Sequence, residues 1–135
     1  MDLLLDDEFI EKINAFSIRL HDAVKKGMHL DYCLGSKNLP NAIDFVVPKK
    51  LPKKGDKPRL GIMMEPHDNL YLFEKEGVIE EGYGQGTWKQ IKQGNARVVR
   101  KSEHSWFINL GEAEFSFYIP PFLRKKKGNF LIKRI

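Results

Sequence analysis

From residue 88 onward the sequence breaks into short apolar runs separated by turn-forming residues, and this pattern limits the fold more than any other feature. The candidate strands are 88–92, 97–101, 106–110, 114–119 and 129–135. Gly94-Asn95, Ser102-Glu103-His104, Gly111-Glu112 and Lys127-Gly128-Asn129 stand between them. Connections this short join antiparallel neighbours, whereas parallel strands need a crossover of about a dozen residues or more. Pro120-Pro121 interrupts the last hairpin and predicts a strand end, bulge or edge there.

The first half adds shorter candidates at 29–34, 42–47, 59–64 and 70–74. Residues 49–58 read as a loop, 65–69 as a turn and 77–86 as a glycine-rich loop. One segment reads as helix. Between residues 6 and 26, Phe9, Ile10, Ile13, Phe16, Leu20 and Val24 recur at helical spacing. Acidic residues open that segment, Lys25 and Lys26 close it, and Gly27 follows as a left-handed cap. No βαβ unit is visible. The expected architecture is a single α+β domain over residues 1–135, with one N-terminal amphipathic helix packed on a curved, mainly antiparallel sheet of about five to seven strands. At 135 residues the chain has the commonest size for one domain.

Cys33 is the one cysteine, which excludes an intramolecular disulfide and fits a reducing compartment. The start of the chain lacks the basic opening and longer apolar run of a signal peptide, and no stretch approaches the ~20 apolar residues of a membrane helix. A soluble cytoplasmic protein is expected, without a membrane partner. The sequence gives no oligomeric state.

The net charge of +5 is unevenly distributed. Residues 48–59 carry 6 basic side chains against Asp56 alone, and residues 87–135 carry 11 basic against 3 acidic. Residues 60–86 hold only Lys75 against 6 acids. Two basic segments are therefore candidate anion contacts: Lys49, Lys50, Lys53, Lys54, Lys57 and Arg59 in one loop, and Arg124, Lys125, Lys126 and Lys127 in the last hairpin. Trp106, Phe115, Phe117 and Tyr118 lie near the second segment. Phe115 and Phe117 share one face across Ser116 and are assigned to the core, while Trp106 and Tyr118 remain open.

Other constellations carry less. The run Gly82-Tyr83-Gly84-Gln85-Gly86 precedes a strand rather than a helix, so it lacks the setting of a phosphate-binding loop. His29, Asp31 and Cys33 alternate on one strand, yet no second cluster supplies further ligands, and no metal or cofactor is expected. His67 and His104 fall in turns beside Asp68 and Glu103. Two such histidines, one as base and one as acid, are the only catalytic candidates.

The favoured reading is a non-catalytic binding protein whose basic loops contact an anionic macromolecule, nucleic acid being the simplest. One alternative is a protein–protein module of the immunity (neutralising) or adaptor type, with the acidic 60–86 segment itself a candidate contact; the expected partner is nucleic acid or an acidic protein surface. A second is a small metal-independent ribonuclease using His67 and His104.

Overall fold

The computed structural model describes residues 6–82, 85–125 and 127–135. In chain order the elements are α1 (Asp7–Lys12), β1 (Ala15–Ala23), β2 (Gly27–Gly35), β3 (Asn41–Val46), β4 (Arg59–Met63), β5 (His67–Asp68), α2 (Leu70–Phe73) and β6 (Glu76–Ile79). There follow β7 (Gly86–Lys101), β8 (Ser105–Leu110), β9 (Ala113–Tyr118), a 3-10 turn (Pro121–Leu123) and β10 (Asn129–Arg134).

The expected α+β architecture is overturned. The chain forms a closed antiparallel barrel of eight strands in the order β1-β2-β3-β4-β10-β9-β8-β7, with β7 pairing back onto β1. β5 and β6 are additions outside the ring: β5 pairs β3, and β6 pairs β7.

The predicted helix over 6–26 contracts to α1. Its N-cap is Asp6, whose carboxylate accepts from the Phe9 amide at 3.2 Å, and Phe9 and Ile10 reach into the barrel core. From Ala15 onward the chain is extended. Phe16 and Leu20 satisfy a two-residue period, which Ile18 shares, as well as a helical one, and pairing with β2 on one side and β7 on the other selects the strand. Val24, required by a helical stripe, stands 73% exposed at a hairpin tip. Gly27 does take the left-handed conformation, φ +79°, but as the end of a β-turn rather than a helix cap.

A second correction explains the closure. Segments 88–92 and 97–101 are not two strands around a turn at Gly94-Asn95; they are parts of the single 16-residue β7. Gly94 is there because the Phe16 ring occupies the space a side chain would need, with an added Cβ falling 2.8 Å from the ring. β7 pairs β1 through Gly86–Asn95 and β8 through Ala96–Lys101, so one strand joins the two ends of the sheet.

The 70–74 segment, expected extended, is the short helix α2. Segments 29–34, 42–47, 59–64, 106–110, 114–119 and 129–135 overlap β2, β3, β4, β8, β9 and β10. The interior is filled by aromatic and branched side chains. Phe45 is central, with ring centroids 5.2 Å from Tyr32, 5.3 Å from Phe117 and 5.6 Å from Phe130. Phe115, Phe117 and Trp106 are core residues, and Tyr118 is exposed. Among the described residues no helix is long and apolar enough to cross a membrane.

Candidate functional site

The strands β1, β2 and β3 are buried on both faces. Phe16, Leu34, Ile43 and Phe45 point into the barrel, and the opposite face would meet water in a simple barrel. Here the 64–79 segment covers it as a strap. Met64 donates its backbone amide to the Asp44 carbonyl at 2.8 Å. β5 then pairs with the start of β3, and Leu72 of α2 packs on Ala15, Cys33 and Ala42. β6 finally joins β7 beyond β1. Leu72 and its neighbours make an apolar seal at one end, and beyond it Ser17, Arg19, His21, Asp31 and Asp44 are buried on the covered face, with Ala23, Met64 and Ile79 at the far side.

Strand register assembles that polar layer. Ser17, Arg19 and His21 alternate along β1, and His29, Asp31 and Cys33 along β2. The pairing sets Arg19 opposite Asp31, His21 opposite His29, and Cys33 opposite both Ser17 and Asp44. Arg19, only 2% exposed, lies with its Nη2 3.6 Å from Asp31 Oδ2 and 3.7 Å from Asp44 Oδ2, bridging both buried carboxylates. Its guanidinium also lies 5.3 Å from the Trp88 ring centre.

Three imidazoles complete the cluster. His21 Nδ1 is 3.3 Å from Asp31 Oδ2, and His29 Nε2 is 3.2 Å from Asp31 Oδ1. The two rings lie 4.7 Å apart. The other nitrogen of His29, Nδ1, is 3.3 Å from the Gly27 carbonyl oxygen. From the strap, His67 sets its Nε2 2.6 Å from Asp44 Oδ2. All of these border one cavity of about 220 Å³, which Lys26 and Glu65 also line.

The electrostatics follow from burial. Burial raises the Asp44 carboxyl above its ordinary value; Asp31 adds to the rise, while His67 and Arg19 oppose it. Burial likewise pushes the Cys33 thiol up, reinforced by Asp44, so this cysteine is held as a neutral thiol and is no nucleophile.

The residues singled out from sequence fall in several places. His67 lies in the cavity, on β5 rather than in a plain turn. His104 does not join it: it pairs with Glu103 at 3.4 Å beside the β7–β8 connection, and its carbonyl accepts from the Ile119 amide. Arg59 is engaged in structure, donating to the carbonyls of Lys49, Lys50 and Leu51 and to the Asp56 carboxylate. Lys49, Lys50, Lys53, Lys54 and Lys57 are exposed, as are Arg124, Lys125 and Lys127, and Lys126 lies outside the described residues. The described residues of the two basic segments do not converge. β10 pairs β4 with Asn129 opposite Ile62 and Ile132 opposite Arg59, which puts Lys127 and Gly128 and the 49–58 loop at opposite ends of β4. Of the glycine-rich run, Tyr83 and Gly84 lie outside the described residues, and Gly86 opens β7.

Sequence reasoning missed His21, Arg19 and Asp44. The signal was present as a second alternation, Ser17-x-Arg19-x-His21, facing the alternation of His29, Asp31 and Cys33 across a glycine turn. No protein-family model matches this chain, and no curated protein matches it in sequence.

Proposed function

We propose that the protein is an enzyme of the acid–base class, acting by hydrolysis on a small polar substrate in the cavity beneath the strap, with His67 as its proton-transfer group. The observation that carries this reading is the environment of His67. One ring nitrogen is held 2.6 Å from a carboxylate that is 3% exposed, while the imidazole itself is 33% exposed and borders the cavity. A buried carboxylate fixes the orientation of such a ring and stabilises the imidazolium formed when it takes a proton. Imidazole is also the side chain suited to exchange protons near neutral pH.

The test is hydrolysis of p-nitrophenyl acetate, p-nitrophenyl phosphate and bis(p-nitrophenyl) phosphate by the purified protein. Turnover that falls roughly 10²- to 10⁴-fold in His67→Gln, and stays unchanged in His104→Ala, is the expected result. Turnover indifferent to His67, or none with any of the three esters, sinks the reading.

A second reading, binding of an anionic macromolecule, is favoured by one observation. The β4–β10 register brings Lys133 beside the 49–58 loop, adding a cation to its five exposed lysines. If those five lysines each meet a phosphate, affinity for single-stranded RNA should fall roughly 100-fold between about 50 and 200 mM salt. Fluorescence anisotropy at the two salt concentrations measures it, and a flat response removes this reading.

A further inference from the structure

We propose that His21, His29 and Asp31 hold a divalent transition-metal ion at the floor of the same cavity. The inference rests on the cavity being the working site, as proposed above, and names its cofactor.

Geometry is the first support. The ligand-capable atoms of the three residues all lie within 4.8 Å of one another, and the two histidine-to-carboxylate distances are 3.3 and 3.2 Å. Tetrahedral zinc with nitrogen and oxygen ligands at about 2.0–2.1 Å requires ligand atoms roughly 3.3 Å apart. The two histidine-to-carboxylate spacings match that figure, each to a different oxygen of Asp31, and the whole set lies within 4.8 Å.

The surroundings of the ligands are the second support. Metal-binding histidines characteristically donate their other ring N–H to a carbonyl or carboxylate, which fixes the ring and turns the remaining lone pair to the ion. His29 has this arrangement, with Nδ1 against the Gly27 carbonyl and Nε2 against Asp31. Asp31 in turn is held by Arg19 from behind. These contacts orient the set from two adjacent strands, so it does not depend on a loop to assemble.

Charge is the third. Asp31, Asp44 and Glu65 line the cavity against Lys26, and Arg19 lies beneath them. Lys26 and Glu65 are exposed and offset each other, so the buried charged side chains are Asp31 and Asp44 against Arg19, two carboxylates to one guanidinium in a layer where uncompensated charge is costly and a cation is favoured. Three protein ligands beside an open cavity leave coordination positions for water or substrate, as in catalytic rather than structural sites. Two imidazoles and a carboxylate suit zinc, iron(II) and their neighbours, and not magnesium or calcium. Cys33 is outside the set, its Sγ directed at Asp44 at 4.0 Å. An ion here would acidify its bound water. His67 would then be the group at hand to take that proton.

The experiment uses untagged protein stripped with a chelator and titrated with zinc(II) by calorimetry, then with cobalt(II) by visible absorption. One equivalent binding at micromolar dissociation constant or tighter, with cobalt bands of low-symmetry coordination, is expected. His29→Gln and Asp31→Asn should each weaken binding at least roughly 100-fold, the upper end of what outer-shell changes alone cost. His67→Gln and His104→Ala should leave the stoichiometry intact. Circular dichroism identifies any variant that does not fold, and His21→Gln then serves in its place. Absence of binding to the folded wild-type protein, or binding that ignores all three ligand changes, overturns the inference. The two proposals fail separately: bound metal without turnover defeats only the enzymatic reading, and full turnover by the stripped protein defeats only the metal.

Discussion

Replacing Arg19 with alanine is expected to lower the free energy of unfolding by about 3–5 kcal/mol, the cost of removing one partner from a buried ionic group. The guanidinium is the positive centre between Asp31 and Asp44, whose side chains are 6% and 3% exposed. Without it both carboxylates stay under the strap with no guanidinium between them. The deficit should also depend on pH. Burial already raises the Asp44 carboxyl, so the folded chain holds that proton more tightly than the unfolded chain does. Such a group favours folding at acid pH, and its contribution is lost as pH rises through the raised value. Losing Arg19 extends that range upward, so the gap between variant and wild type should narrow from pH 7 toward the ordinary carboxylate range near about 4. Urea unfolding at several pH values measures this. A deficit below about 1 kcal/mol, or one that widens on acidification, would show that Arg19 does not neutralise the layer.

Replacing Phe45 with alanine is expected to cost a similar amount, about 3–5 kcal/mol, by a different route. This ring is fully buried and stands among Tyr32, Phe117 and Phe130 at centroid distances of 5.2 to 5.6 Å. Its loss removes apolar burial and leaves a cavity where no neighbouring strand can shift independently, because each is hydrogen-bonded on both sides in the closed ring. Tyr118→Ala, at an aromatic residue 41% exposed on the outside, is the control and should change stability by less than about 0.5 kcal/mol. The Phe45 deficit should be independent of pH, which separates it from the Arg19 result in the same denaturation series.

The contrast between these residues shows what was legible in the sequence. Phe115 and Phe117 alternate around Ser116, so their placement in a core follows from local pattern. The same local reading failed over residues 15–23. There Phe16 and Leu20 fit a helix as well as a strand, and the choice depends on β7, some seventy residues away. Gly94 misled for a related reason. A glycine before an asparagine is a common turn signal, yet here it marks the close approach of the Phe16 ring. Barrel closure is a property of non-adjacent pairings, and no segment carries it alone. The candidate site was hidden by the same error. With β1 read as helix, His21 and Arg19 turn away from His29 and Asp31, and the strap that buries them reads as a turn, a strand and the start of a glycine-rich loop. His67 was noticed for its chemistry, but with His104 as partner rather than Asp44.

The place of β10 has a consequence for how the chain reaches this state during synthesis. β10 inserts between β4 and β9, two strands separated by fifty residues of chain, and nothing else fills that gap. Until residue 134 leaves the ribosome, the ring stands open with two unpaired edges flanking an exposed aromatic interior. β1, β2, β3 and the strap are complete by residue 79, so the histidine layer can be assembled while the barrel beneath it is still unsealed. Closure of the ring therefore waits for β10, the last of its eight strands in chain order, and a nascent chain stalled before β10 is exposed to edge-to-edge association.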